Sequence, residues 1–111
     1  MKNVLCKVYA AFFPVGNIGL DALESAAEGA LGNEEAWLFL EEGMLKISFE
    51  GVYFPLREVM EALEDLLPVN AEGKLDYLDL EEWRLHRHIY ANGAFTVSER
   101  SLNHVLDYAG H

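Results

Sequence analysis

An α+β fold is predicted for this chain. The expected plan is a ferredoxin-like βαββαβ core with an antiparallel sheet over residues 1–80. A C-terminal β-hairpin and helix are added over 81–111, all within a single domain, 1–111. Three observations lead there. Met44 to Glu50 alternates without a break, with Leu45, Ile47 and Phe49 on one side and Met44, Lys46, Ser48 and Glu50 on the other, the period of a half-buried strand. Two stretches, Leu23 to Leu31 and Leu56 to Leu67, carry apolar residues on one helical stripe only. The element order is β-α-β-β-α-β, the split βαβ arrangement, which puts both helices on one sheet face and leaves the other open.

Asn3 to Phe13 reads as the first strand, with Val4, Cys6, Val8, Ala10 and Phe12 sharing one face. Pro14 to Gly19 is the turn. Asp21 and Glu24 have the form of a capping box, and Gly32-Asn33 is the expected helix end. Ala36 to Glu50 forms a hairpin on the two-residue turn Glu42-Gly43. That register sets Leu40 opposite Leu45, Leu38 opposite Ile47 and Ala36 opposite Phe49. It sets Trp37 beside Ser48 and Phe39 beside Lys46, on the face away from the helices.

Pro55 suits the first turn of a second helix. Its buried stripe is Leu56, Val59, Met60, Leu63, Leu66 and Leu67, and Pro68 stops it. Val69 to Gly73 is expected as a loop and Leu75 to Leu80 as a fourth strand. Asn92-Gly93 is a strong turn for a hairpin whose arms are Trp83 to Ala91 and Ala94 to Val97. Trp83, Leu85 and Ile89 then share one face, and Arg84, His86, His88 and Tyr90 the other. The competing reading is a helix over 80–91 opened by Asp79 and Glu82, but its apolar positions fit a helical stripe poorly. Ser98 is expected to cap a last helix carrying Leu102, Val105, Leu106 and Ala109.

Charge excludes several functions. The chain of 111 residues has 19 Asp and Glu against 8 Lys and Arg, a net of −11. Residues 1–82 carry −12; residues 83–111 carry +1 and all four histidines. Such a balance opposes nucleic acid and anionic membranes as partners. No apolar run approaches the ~20 residues of a membrane span. Cys6 is the lone cysteine, so no intramolecular disulfide forms, which fits a reducing cytoplasmic setting.

The first candidate site is the open sheet face, where Tyr9, Trp37, Phe39, Met44 and Lys46 gather with Phe13 and Lys7. Left in water this is a sizeable apolar patch. Either the C-terminal hairpin and helix cover it, or a partner does: a second copy, another protein, or a small apolar ligand in an incompletely covered pocket.

The second candidate is the histidine group. His86 and His88 are two apart, which on a strand points both rings the same way, as a zinc site needs. The hairpin register brings Glu99 near His86, and His104 follows on the last helix. The plainer reading is two surface histidines on an edge strand, and no metal or other cofactor is expected. His86, His88 or His104 beside Glu99 or Asp107 also has the composition of a general base. No serine or cysteine stands in a nucleophile motif.

Two features receive plainer readings. Gly16 to Gly19 is turn chemistry, since Asp21 occupies the place of an anion. The glutamates of the helices are their solvated sides, or a docking surface for a basic partner. The functional expectation is a non-catalytic module acting by protein association, as homodimer or accessory subunit, or by small-ligand binding on the aromatic face. The alternative is a small hydrolytic enzyme, metal-assisted or not, that uses the C-terminal histidines.

Overall fold

The structure, a computed structural model, describes residues 4–27 and 36–103. Among them are six strands and two helices: β1 Cys6–Phe13, α1 Leu20–Ala26, β2 Leu38–Glu41, β3 Met44–Gly51, α2 Leu56–Leu66, β4 Glu72–Asp79, β5 Arg84–Ala91 and β6 Ala94–Ser101. The strands form one antiparallel sheet in the order β2-β3-β1-β4-β5-β6. The fold is therefore α+β. Because β5 and β6 widen the sheet beyond β4, its order departs from that of a simple four-stranded ferredoxin sheet.

β1 lies between β3 and β4 and is bonded on both sides. Its Cys6, Val8 and Phe12 are buried in one cluster with Leu45 and Ile47 of β3, Leu75 of β4 and Tyr90 of β5. The same cluster holds Leu23 of α1 and Val59 and Leu63 of α2. Both helices thus cover the same face, and the 3.6-residue stripe of each meets the 2-residue alternation of the strands. Among the described residues, no helix is long and apolar enough to cross a membrane.

The first hairpin turns at Glu42 and Gly43, both with positive φ (49° and 79°), the geometry that matches strand twist. Leu38 faces Ile47, Phe39 faces Lys46 and Leu40 faces Leu45. The second hairpin turns at Asn92 and Gly93, again with positive φ (55° and 81°), so residues 84–91 are a strand and not a helix.

Several expectations need correction. Asp21 does not cap α1: Gly19 occupies the N-cap without a side-chain bond, and Asp21 lies in the first turn, where a carboxylate still favours the positive end of the helix dipole. α1 ends at Ala26, well before Gly32-Asn33, which lies outside the described residues. Ser98 starts no helix. It pairs with Arg87 inside β6, which runs to Ser101 because β5 offers a partner for every residue. The helical backbone begins at Leu102, where the Ser101 hydroxyl accepts the Asn103 N–H (3.2 Å); Val105, Leu106 and Ala109 lie outside the described residues. The hairpin of residues 84–101 does not fold over the open face; it lies beside β4 and widens that face.

β4 begins at Glu72, so Gly73 is a strand residue opposite Phe12 and not part of a loop. A Cβ there would collide with the Ala11 carbonyl oxygen and come within 2.8 Å of the Phe12 Cα and ring. The bare glycine lets the Phe12 ring lie against β4 and reach Tyr90 and Phe95, both edge-on at centroid distances of 6.5 and 5.9 Å. Gly73→Ala is expected to cost about 1–3 kcal/mol, the range for overpacking. Gly19→Ala, at φ −77° with open space around it, is expected to change stability by less than about 0.5 kcal/mol. Urea denaturation of the two variants checks the contrast, and equal losses would contradict this account of Gly73.

Candidate functional site

The strand registers place the side chains of the helix-free face in rows across the sheet. One row reads Phe39, Lys46, Ala11, Lys74, Ile89, Thr96; the next reads Ser48, Tyr9, Asp76, Arg87, Ser98. Tyr9 (39% exposed), Phe13 (50%), Phe39 (36%) and Ile89 (44%) stand in solvent there, with Met44 half-buried. The polar residues among them are tied across strands. Lys7 pairs with Glu50 (3.4 Å), Lys46 with Glu41 (3.5 Å), and Arg87 grips Asp76 through Nε (2.8 Å) and Nη2 (3.0 Å). The Tyr9 hydroxyl donates to Glu50 Oε1 at 2.8 Å, and this bond with Lys7 beside it holds the Glu50 carboxyl below its usual range.

Charge divides sharply between this face and the rest of the chain. Among the described residues, five Lys and Arg (Lys7, Lys46, Lys74, Arg87, Arg100) lie on it with four carboxylates (Glu41, Glu50, Glu72, Asp76), while two Lys and Arg and eleven carboxylates lie elsewhere. The described residues of the face carry +1, and the other described residues carry −9.

Trp37 departs from the expected placement. Its ring meets Phe54 edge-on at 5.9 Å, Phe54 meets Phe49 at 5.3 Å, and all three belong to the helix-side core. The reason is position. Trp37 precedes β2, whose pleat does not bind it, and β2 is an edge strand, so the ring folds round the edge to the covered side. Its backbone still follows the hairpin, accepting the Ser48 N–H at 2.9 Å.

Leu85 and Leu102 mark one corner of the open face. Both are buried, yet neither belongs to the main cluster, and the Leu102 N–H donates to the Trp83 carbonyl (3.0 Å). The Trp83 indole N–H donates to Asn103 Oδ1 at 2.8 Å.

His86 and His88 lie on the covered side of β5. His86 faces Glu99 across the hairpin, with Nδ1 to Oε1 at 3.1 Å, and Arg84 Nε reaches the same oxygen at 3.6 Å. The Tyr77 ring stands edge-on to His86 at 6.0 Å. Burial, with Cys6 beside it, pushes the Tyr77 hydroxyl up to about 12; burial also raises the Cys6 thiol, so neither ionises near neutrality. This arrangement supplies an imidazole oriented by a carboxylate, one element of general-base chemistry.

His88 is separate. It lines a groove of about 370 Å³ between α2 and the second hairpin, with Leu56, Arg57, Met60, Glu64, Phe95, Thr96 and Val97. Its Nε2 is shielded and has no hydrogen-bond partner. Among the described residues, no three His, Cys, Asp or Glu groups converge as metal ligands, and His104 lies outside them. The groove had no sequence signal, because it depends on where α2 crosses the sheet.

Compared with known proteins, the chain matches no family model, no curated relative and no solved structure.

Burial, then the neighbouring His86, lowers the His88 pKa against a smaller opposing pull from Asp76. A histidine in the unfolded chain takes a proton near 6.5. The unfolded chain therefore binds this proton more readily than the folded one, and stability held above about pH 6.5 is lost as pH falls toward the lower folded value. Urea midpoints at pH 7.5 and 5.5 are expected to fall less in His88→Leu than in the parent. At pH 7.5 the variant should be no less stable, since Nε2 forgoes no bond. Equal falls would show that His88 is not held neutral.

Proposed function

We propose that the protein acts by association with another protein, as an accessory subunit whose contact surface is the helix-free face of the sheet. The observation that carries this reading is the charge division. Among the described residues, a partner meeting that face encounters +1, with four exposed apolar side chains (Tyr9, Phe13, Phe39 and Ile89), and a partner meeting any other side encounters part of −9. Exposed aromatics among cross-strand ion pairs give a surface that is apolar enough to bind and polar enough to remain hydrated when free. Met44 and Lys46 stay within this surface, and Trp37 supports it from the other side through Phe54. A small apolar ligand is the less favoured occupant, since the groove of about 370 Å³ lies beside His88 and is not lined by Tyr9 or Phe39.

This reading includes the finer architecture. β1 between β3 and β4, with α1 and α2 on one side, supports a ferredoxin-like core over residues 1–80, to which the second hairpin adds width.

A second reading, a small hydrolytic enzyme, is favoured by one contact, the His86–Glu99 pair at 3.1 Å. The groove beside α2 is lined by His88 and not by His86, so the oriented base lies outside that groove.

Photo-crosslinking residues placed singly at Phe39, Ile89, Glu58 and Glu61 test the association reading in cells. Adducts of one added mass are expected from Phe39 and Ile89 on the open face and not from Glu58 and Glu61 on α2. The double variant Phe13→Lys/Phe39→Lys should remove the Ile89 adduct while shifting stability by less than about 0.5 kcal/mol per site. Adducts from α2 alone, or none at the sheet positions, would end the proposal.

A further inference from the structure

β6 ends the sheet, and among the described residues nothing pairs with its outer edge. Natural sheets usually blunt such an edge with proline, lysine, a bulge or a short strand. β6 has none of these: its eight residues, Ala94 to Ser101, pair with β5 in unbroken register, they include neither Pro nor Lys, and their only charged side chains are Glu99 and Arg100, adjacent and of opposite sign. Val97, at its middle, is 62% exposed.

The direction of its free backbone groups is fixed. The Leu102 N–H donates to the Trp83 carbonyl, and Leu102 stands two residues beyond Arg100 on the same ladder. In an antiparallel pair, alternate residues send both backbone groups to the same neighbour. Ala94, Thr96, Ser98 and Arg100 therefore bond to β5. Phe95, Val97, Glu99 and Ser101 present their N–H and C=O groups outward.

We infer that β6 is a self-association edge, which pairs antiparallel with β6 of a second copy about a two-fold axis at Ser98 to form a continuous twelve-stranded sheet. This register is selected by the sequence. Phe95 lies opposite Ser101 of the second copy and Val97 opposite its Glu99, each relation occurring twice. All four outward residues are then satisfied, giving about eight backbone hydrogen bonds. Moving the axis to Glu99 sets the two Glu99 side chains against each other. Moving it to Val97 leaves Ser101 opposite the turn and about two bonds are lost.

Charge and shape agree with this occupant. Two chains of −11 repel, and contact through the segment that carries +2 (Arg84, Arg87 and Arg100 against Glu99 over residues 83–103) keeps the acidic bodies farthest apart. The axis is perpendicular to the sheet, so helices of both copies lie on one side. Glu99 of the second copy then enters beside Val97, on the groove that Arg57 also lines. Arg57 makes no ion pair among the described residues. The inference does not rest on the partner reading of the open face; a dimer of this kind would double that face without covering it.

The test is light scattering of the full chain with site-resolved hydrogen exchange. The parent is expected at twice the 12.5 kDa chain mass at tens of micromolar. Val97→Glu, which sets a second carboxylate against Glu99 of the other copy at both symmetric positions, should halve the mass while leaving the melting temperature of a dilute, monomeric sample unchanged. In the parent dimer, the amides of Val97 and Glu99 should be protected, and on dilution they should exchange freely while those of Thr96 and Ser98 stay protected. A parent that remains a monomer at several hundred micromolar overturns the inference. So does a dimer that survives Val97→Glu, or one whose Val97 and Glu99 amides exchange as fast as in the monomer.

Discussion

The pleat of β1 is the constraint from which the other features follow. This strand is hydrogen-bonded on both edges, to β3 and to β4, so its register is fixed twice. A slip of one residue would bring Lys7, Tyr9 and Phe13 under the helices and put Val8 and Phe12 in water. The completely buried Val8 and Phe12 anchor one side of this alternation, and the helices pack there because apolar residues of β3 and β4 face the same way. The other side is left with alternating aromatic and charged residues and no helix. The core and the open face are therefore two consequences of one alternation.

Charge then gives each surface a character. Cross-strand pairs hold most of the cations on the open face, where Lys7, Lys46 and Arg87 each meet an acid on a neighbouring strand. The excess carboxylates are left to the helices and loops. The described residues thus give one nearly neutral side, one strongly acidic side, and a long strand edge in the least acidic segment. As proposed, the face meets a partner of different structure and the edge meets a copy of itself, because backbone pairing needs only a strand of matching length.

Much of this was legible in the sequence, for identifiable reasons. Glu42-Gly43 and Asn92-Gly93 are two-residue turns, and such a turn sets the register of everything around it. That is why Leu38 opposite Ile47 and His86 opposite Glu99 could be written down from residue types alone. Tertiary context decided the rest. Trp37 lies one residue before its strand, where alternation no longer governs direction. Gly73 reads as a loop residue until Phe12 is placed over it. Ser98 has the chemistry of a helix cap, but β5 extends far enough to keep it in a strand. The groove beside His88 and the gathering of five cations on one face depend on where β5, β6 and α2 lie, which no local pattern encodes.

Which side of β1 is open can be measured with the chain's own lone thiol as the starting point, because Cys6 lies on the covered side and is 2% exposed. In a Cys6→Ala background, Ala10→Cys and Ala11→Cys place one thiol on each side of the same strand. Reaction with a maleimide under native conditions should be fast at position 11, close to the rate in the unfolded chain, and strongly suppressed at position 10. Fast labelling at position 10 with protection at position 11 would show that the pleat is inverted, and protection at both would show that the open face is covered within the chain.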